Sequence, residues 1–356
     1  MIDMKVVTIV GARPQFIKCA PLSKELRRNH DEVIVHTGQH YDYEMSKVFF
    51  DELEIPTPNY NLNIGSGSQG HQTGAMLAAI EDVLLKEEPQ MVVVFGDTNS
   101  TIAGALAASK LGIPIAHVEA GLRSYDRSMP EEINRVLTDH VSNLLFAPTE
   151  SAVTNLGKEG IYRGIHHVGD IMVDSLNSVK EVALSRSTVL ERLGIEKHAY
   201  FVLTMHRAGN TDDSAKLCKV LNAIRRARIP TIFPVHPRTR KVLENVGAEL
   251  PSNLVPIEPL GYVDMIALIA NARGVLTDSG GIQKESFILG TRCATLRENT
   301  EWPETLVEGR NHIVGLDEDE IVNVLELPKI DNAPNISPFG EEGVSKKIIN
   351  IISDFH

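Results

Sequence analysis

Charged residues are concentrated in the stretch Ile115–Arg135, where a short apolar run ends at Glu119 and a glycine-containing loop leads to Pro130. Proline suits the first turn of a helix, because its missing N–H would be unpaired there. The stretch carries three glutamates and three arginines, namely Glu119, Glu131, Glu132, Arg123, Arg127 and Arg135. Charges where a strand ends and a helix begins lie where open α/β sheets bind ligands. A solvated loop with ion pairs would use the same residue types, so neighbouring segments must decide between the two interpretations.

A second carboxylate favours the functional interpretation. Asp97 follows the apolar run Gln90–Phe95, and the next predicted strand, Ile113–Val118, brings Glu119 to the same edge of a sheet. Near-continuous apolar strands are typical of parallel sheets covered on both faces. Aspartate at a helix start is often a cap, but capping does not explain two carboxylates at one edge. Asp97, Glu119 and Glu131 are therefore candidates for proton transfer.

The first predicted strand, Lys5–Val10, ends in the turn GARP (11–14), and a helix follows to about Arg28. Arg13 at the turn and Lys18 one turn into the helix are placed to reach an anion at the helix N-terminus. A capping or surface arginine would look the same in sequence. The turn has too few glycines for the dinucleotide pattern G-x-G-x-x-G.

The best candidate for a phosphate cradle is Ser279-Gly280-Gly281, which follows the predicted strand Arg273–Thr277. Glycines let backbone N–H groups approach a phosphate, and the dipole of the following helix favours the anion. Glu285, on the same helix face, could accept both hydroxyls of a ribose. A plain helix start would show the same residues.

Further basic residues follow the predicted strands of the second half of the chain: His206, Arg207, His236 and Arg297. The position of His206 at a strand end beside an arginine favours function over a structural role. The histidines are not clustered in metal-ligand spacing, so no transition metal is expected.

The bulk properties bound the class of protein. The chain has 356 residues, of which 42% are hydrophobic, and no apolar run is long enough to span a bilayer. Its net charge of −12 argues against nucleic acid or an anionic membrane as partner. The three cysteines are far apart and odd in number, and the first residues form a strand pattern rather than a signal peptide, so a cytoplasmic location is expected.

The alternation of strand and helix patterns restarts near Gly169. It predicts an α/β protein with two Rossmann-like domains facing across a cleft, the first at 1–168 and the second at 169–340. The last helix, within 341–356, has one apolar face and is expected to pack on the first domain. One half carries the carboxylates, and the other carries the phosphate cradle and an acceptor for the ribose hydroxyls. This division suits a nucleotide-sugar as ligand.

The chain resembles the non-hydrolysing UDP-N-acetylglucosamine 2-epimerases over essentially its whole length. The matching motifs occur in the same order: GARPQFIK (11–18), TGQHYD (37–42), GDTNST (96–101), HVEAGLR (117–123), PEEINR (130–135), MHR (205–207), VHP (235–237), DSGGIQKE (278–285) and RENTEWPE (297–304). The resemblance implies a glycosyltransferase-B architecture, a final helix that crosses back to the first domain, and a cytoplasmic homodimer.

The implied reaction inverts carbon 2 of a UDP-amino sugar. UDP is eliminated to give 2-acetamidoglucal, and its re-addition gives the N-acetylmannosamine epimer, so no cofactor is needed. The resemblance implies that Asp97, Glu119 and Glu131 are the acid/base groups. It also implies that His206 takes part in handling the diphosphate. Candidate substrate-binding residues are Arg13, Lys18, Arg123, Arg135, Arg207, His236, Ser279, Gly280, Gly281, Glu285 and Arg297.

Several positions depart from the family pattern. Members commonly have His-Arg-x-Glu-Asn where this chain has HRAGN (206–210), and substrate-regulated bacterial members have arginine where it has Ser68. An effector site would use Gln39, Gln69, Arg207 and His236. The sequence also resembles the branch that acts on UDP-2,3-diacetamido-glucuronate, so both substrates stay open. A hydrolysing variant, a retaining glycosyltransferase and a non-catalytic nucleotide-sugar sensor are also compatible with the sequence.

Overall fold

The computed structural model describes residues 4–39, 50–211, 213–235, 237–246, 250–330 and 337–355. The chain forms two compact units. The first comprises Met1–Asn177 and Ser337–His356, and the second comprises Ser178–Ile336.

The first unit is built on a parallel sheet with strand order β3-β2-β1-β4-β5-β6-β7. Its strands are β1 Lys5–Val10, β2 Asp31–His36, β3 Tyr60–Asn61, β4 Met91–Phe95, β5 Ile115–Val118, β6 Leu144–Ala147 and β7 Ile165–His167. The strand order reverses between β1 and β4, which pair in parallel with Val7 opposite Val92. In open sheets of this kind, ligands bind outside the carboxyl ends of the strands at this reversal.

Helices cover both faces of the first sheet. They are α1 Arg13–Leu26, α2 Gln69–Glu87, α3 Asn99–Lys110, α4 Pro130–Val141 and α5 Glu150–Lys158. The next helix, α6 Met172–Arg186, begins in the first unit and ends in the second. Every residue of β4 is buried, which confirms the sheet covered on both faces. A Cβ on Gly104 of α3 would lie 2.5 Å from Ile9 Cδ1, so glycine allows this helix to approach β1 closely. The sequence GSGSQG (65–70) predicts a loop throughout, but α2 begins at Gln69.

The second unit is also built on a parallel sheet, with strand order β10-β9-β8-β11-β12-β13. Its strands are β8 Phe201–Thr204, β9 Thr231–Pro234, β10 Leu254–Ile257, β11 Gly274–Thr277, β12 Arg292–Thr295 and β13 Asn311–Ile313. Its helices are α7 Val189–Leu193, α8 Ala208–Thr211, α9 Ser214–Ala227, α10 Pro237–Val246, α11 Tyr262–Ala270, α12 Gly280–Leu289, the 3-10 helix Pro303–Gly309 and α13 Glu318–Glu326. The reversal lies between β8 and β11, so the two sheets confirm the predicted α/β class.

The last helix, α14 Val344–Ser353, packs on α1 in the first unit. Its first turn is held by Asp174, whose carboxylate accepts the N–H groups of Gly343 at 2.7 Å and Ser345 at 2.8 Å. At its other end, Ser353 Oγ lies 2.8 Å from His30 Nε2. The hydrogen bonds of Asp174 join the start of α6 to α14, and the boundary between the two compact units falls between Asn177 and Ser178. The domain division after residue 168 stays a prediction from the sequence. Within the described ranges, no helix is both long and apolar enough to cross a membrane.

Candidate active site

Two acidic residues follow adjacent strands at the carboxyl edge of the first sheet. Asp97 comes two residues after β4, and Glu119 directly follows β5. Glu119 has a φ of +73°, a left-handed conformation that non-glycine residues seldom adopt. A Cβ on Gly96 would lie 3.2 Å from Glu119 Oε2 and 3.4 Å from Lys18 Nζ. The glycine therefore leaves room for the carboxylate and the amine beside the end of β4.

Lys18 and Glu119 form an ion pair, and their side chains are only 8% and 7% exposed. Lys18 extends from the second turn of α1. Burying an unpaired charge is costly, and a close partner offsets much of that cost. The pairing thus keeps a charged carboxylate inside the protein, next to the reversal of strand order.

Asp97 is held by the next helices. Its carboxylate forms an ion pair with Arg135 of α4, and its side chain stays 30% exposed. Arg135 also donates from Nη1 to Glu132 Oε2 at 3.0 Å, while Asn134 Nδ2 donates to the Asp97 carbonyl at 2.9 Å. Asp97 is therefore oriented by α4 and still reachable from outside.

The adjacent glutamates at the start of α4 have different environments. Glu131 is exposed and makes no hydrogen bond or ion pair with the residues that the structure describes. Glu132 is buried and accepts hydrogen bonds from Ser124 N, Ser124 Oγ and Tyr125 N, each at 2.9 Å. Glu132 thus fixes the loop before α4, and the structure brings Glu131 into no contact with Asp97 or Glu119.

A buried histidine that the sequence did not single out supports the same edge. His117 lies within β5, with Nδ1 2.8 Å from Asp139 Oδ1 and Nε2 2.7 Å from the Gly96 carbonyl. The ring therefore connects the Gly96 carbonyl, just after β4, to Asp139 on α4. Burial acts to raise the pKa of Asp139, but His117 and Arg123 outweigh it and hold that pKa below its ordinary value. The signal in the sequence was a histidine inside an otherwise apolar strand.

Arg123 is nearly buried and occupied by protein acceptors. Its Nη1 donates to Asp139 Oδ2 at 2.7 Å, and its Nε and Nη2 donate to the two carboxylate oxygens of Glu159, also at 2.7 Å. Burial opposes the charge, but Glu159 and Asp139 raise the pKa of Arg123. The structure therefore places this predicted substrate contact in a network that anchors the loop after Glu119.

The remaining predicted residues of the first unit surround the same edge. Arg13 is the first residue of α1 and is half-buried. Gln39 accepts from Ser100 N at 3.0 Å and from Ser100 Oγ at 2.6 Å. Gln69 accepts from Asn99 Nδ2 at 2.7 Å. Both glutamines of the expected effector site thus contact the start of α3, just after Asp97.

In the second unit, the fully buried Asp278 organises the carboxyl edge at the reversal of strand order. Its carboxylate accepts from His206 N at 3.2 Å, Arg207 N at 3.0 Å and Asn210 Nδ2 at 3.2 Å. The Nδ1 atom of His206 lies 3.5 Å from Asp278 Oδ1, and the histidine side chain is 48% exposed. Asp278 therefore orients His206, a role that the sequence did not reveal. His236 lies outside the described residues.

The predicted phosphate cradle forms the N-terminus of α12. Ser279 caps this helix without a side-chain hydrogen bond, and its N–H donates to Thr277 Oγ1 at 3.0 Å. A Cβ on Gly280 would lie 2.4 Å from Glu301 Oε1, whereas one on Gly281 would meet nothing nearer than Ser279 Oγ at 3.9 Å. The hydroxyl of Ser279 and the open face at Gly281 leave this helix start suited to an anion.

Glu301 holds two neighbouring cations in the second unit. Arg297 Nη1 donates to Glu301 Oε2 at 2.6 Å, and Arg207 Nη2 lies 3.5 Å from Glu301 Oε1. Glu285, the predicted ribose acceptor, is buried on α12. Beside it, the Lys284 ammonium sits 3.8 Å from the centroid of the Trp302 ring.

Each unit is a doubly wound parallel sheet with polar groups where the strand order reverses, and together they define a two-domain α/β enzyme of the glycosyltransferase-B architecture. The chain belongs to the UDP-N-acetylglucosamine 2-epimerase family, whose model matches residues 24–353. It is therefore an isomerase of the epimerase type, as the sequence predicted.

Similar proteins cover almost the whole chain. A UDP-N-acetylglucosamine 2-epimerase homolog of Methanococcus maripaludis is 57% identical, over 98% of this chain and 99% of its own length. The UDP-2,3-diacetamido-2,3-dideoxy-D-glucuronate 2-epimerase of Pseudomonas aeruginosa is 50% identical over 90% of each chain. The crystal structure of Methanocaldococcus jannaschii UDP-GlcNAc 2-epimerase in complex with UDP-GlcNAc and UDP is 46% identical, with a TM-score of 0.92 over 98% of this chain and 99% of that one.

Proposed function

We propose that this protein interconverts UDP-N-acetylglucosamine and UDP-N-acetylmannosamine. The observation that carries the proposal is the pair of carboxylates at adjacent strand ends, Glu119 held by Lys18 and Asp97 held by Arg135. Moving a proton on and off an unactivated carbon needs positioned acid/base groups. The Methanocaldococcus jannaschii relative, solved with UDP-GlcNAc and UDP, supports the choice of sugar nucleotide.

The proposed reaction proceeds by elimination and re-addition. A base removes the carbon-2 proton, the carbon-1–oxygen bond breaks, and its electrons leave with UDP while a double bond forms between carbons 1 and 2. The resulting 2-acetamidoglucal takes a proton on the opposite face of carbon 2 as a UDP oxygen re-forms the bond to carbon 1. Asp97, Glu119 and Glu131 are the proposed acid/base groups, with Glu131 reaching the sugar from its exposed position on α4.

The departing diphosphate needs cations and donors aimed at its developing charge. In the second unit we assign this role to His206, oriented by Asp278, and to Ser279 with the two glycines that follow it. Arg13 contributes from the first turn of α1. Glu285 is the proposed acceptor for the ribose hydroxyls.

A second substrate is favoured by one finding. The Pseudomonas aeruginosa relative named for the diacetamido glucuronate is 50% identical to this chain, and a Methanococcus maripaludis relative named UDP-N-acetylglucosamine 2-epimerase is 48% identical. The same elimination would serve both sugars, because they share the acetamido group at carbon 2. The test is to incubate the purified protein with each UDP-sugar in heavy water and follow carbon 2 by NMR. The true substrate gains deuterium there, and a lack of uptake from both sugars would reject the epimerase proposal.

The heavy-water experiment also separates epimerisation from three different activities. A hydrolysing enzyme would release free N-acetylmannosamine, a glycosyltransferase would need an acceptor, and a sensor would bind UDP without turnover. We also propose a cytoplasmic homodimer that supplies an amino sugar for polysaccharide biosynthesis. Support for self-association comes from α4, on which Ile133 and Leu137, four residues apart, are 45% and 46% exposed.

A further inference from the structure

A basic cavity lies at the amino edge of the second sheet, the edge opposite to His206 and Ser279. Its volume is about 160 Å³, and its lining includes His198, Arg273, Arg292 and Lys329. None of the described residues that line it is aspartate or glutamate. A cavity of roughly 150 Å³ holds a molecule as large as benzene, so this one has room for a single phosphate group.

The fold forces two of these cations together. Arg273 directly precedes β11 and Arg292 begins β12, and the parallel register pairs Arg292 with Gly274. The Nε atoms of both guanidinium groups are buried and meet no hydrogen-bond acceptor in the part of the chain that the structure describes. Burial and the neighbouring charge of Arg273 both lower the pKa of Arg292. Without a bound anion, this arrangement costs stability.

The two arginines differ in what else they do. Arg273 Nη2 donates to the Leu327 carbonyl at 3.1 Å and the Glu326 carbonyl at 3.3 Å, which satisfies the end of α13. Cations at helix C-termini are commonly structural in this way. Arg292 donates no hydrogen bond to any residue in the described ranges, so helix capping does not account for it. A half-buried cation whose buried Nε meets no acceptor among the described residues indicates a missing anionic partner.

We propose that this cavity binds a phosphate group, with Arg292 as its main donor. The guanidinium offers two parallel N–H groups that match two oxygens of a phosphate. His198 supports the assignment from the rim, where it is exposed and adopts a φ of +61°. Its N–H is fixed to the Asn271 carbonyl at 2.7 Å, which places the ring among the lining residues.

The test compares the wild-type protein with Arg292→Gln and Arg292→Lys, using Arg225→Gln on the surface of α9 as a matched control. Thermal unfolding and calorimetry are run in phosphate-free buffer and with added inorganic phosphate. In wild type and the control, phosphate raises the melting temperature. In Arg292→Gln, the affinity of the cavity for phosphate falls by about tenfold or more. Arg292→Lys retains part of the response, because it keeps the charge but not the two-pronged geometry.

If phosphate were bound near Ser279 instead, it would raise the melting temperature equally in all these proteins, because Arg292 lies at the other edge of the sheet. A parallel titration with phosphoethanolamine distinguishes free phosphate from a phosphomonoester as the occupant. If Arg292→Gln responds to inorganic phosphate as the wild type does, the proposal is overturned. A crystal soaked in selenate, with an anomalous peak in this cavity in the wild type but not in Arg292→Gln, would support it independently.

Discussion

Lys18 and Glu119, 101 residues apart in sequence, form a buried ion pair at the carboxyl edge of the first sheet. The pair joins the second turn of α1 to the end of β5. Around it lie Gly96, which leaves room for the pair, and the ion pair of Asp97 with Arg135. The proposed function depends on this arrangement, because it is what gives the first unit positioned acid/base groups.

Lys18→Met should leave Glu119 as a buried charge without its main partner. We expect the free energy of unfolding to fall by about 3–5 kcal/mol, since breaking a buried pair costs more than removing it. The double variant Lys18→Met/Glu119→Gln should recover most of this loss and still be inactive. Urea denaturation and an epimerase assay measure the two effects. A double variant as unstable as Lys18→Met would contradict the pairing.

Asp139→Asn should change how stability depends on pH. Because the pKa of Asp139 is held below its ordinary value, the charged carboxylate stabilises the fold above an unfolded pKa of about 3.9. That contribution is lost as the pH falls from there through the lower folded pKa. We therefore expect the free energy of unfolding of Asp139→Asn to be a few kcal/mol lower than that of the wild type. This difference should be constant from about pH 5 to 8 and shrink below about pH 4. Asp354→Asn, at an exposed position, is the control, and a deficit unchanged in acid would refute the assignment.

Ser279→Ala should weaken UDP binding while leaving stability almost unchanged. The side chain makes no capping hydrogen bond, so its removal should cost α12 little. Thr149→Ala is the matched comparison, because the Thr149 side chain accepts from Ala152 N and caps α5. Its loss should destabilise the fold by about 1 kcal/mol without changing UDP affinity. Calorimetric titration measures the affinity for UDP, and thermal unfolding measures the stability. A Ser279→Ala variant that is destabilised but binds UDP as the wild type does would contradict a role for Ser279 in binding the diphosphate.

Gly280→Ala should disturb the second unit, whereas Gly281→Ala should not destabilise it. The new Cβ at 280 would lie 2.4 Å from Glu301 Oε1 and displace the group that holds Arg297. We expect a loss of about 1–3 kcal/mol in stability and weaker UDP binding. At 281 there is space, and alanine is the better helix former. Equal melting temperatures for the two variants would argue against this packing.

The sequence predicted the central strands well because their pattern is strong. The predicted strand Lys5–Val10 is β1 as observed, and β4 differs from its predicted range by one residue. The strands that were missed, β3, β10 and β13, lie at sheet edges. An edge strand is covered less and carries polar or exposed residues, as at Val255 of β10 and Asn311 of β13, so its pattern is weak.

The candidate site could be located from sequence but not resolved in detail. Strand ends predicted that Asp97 and Glu119 share an edge. Periodicity cannot show that Lys18 reaches Glu119, that His117 and Asp278 orient their neighbours, or that Glu132 is buried while Glu131 is exposed. These distinctions depend on contacts between residues far apart in the chain.

The most direct test of the central claim is positional isotope exchange in UDP-N-acetylglucosamine that carries oxygen-18 between carbon 1 and the β-phosphorus. Elimination breaks the carbon-1–oxygen bond and lets the β-phosphate rotate before UDP re-adds. We expect the label to appear in non-bridging positions at a rate comparable to epimerisation, and the exchange to fall by about 10²-fold or more in Glu119→Gln. Formation of the epimer with the label retained entirely in the bridge would contradict the elimination mechanism.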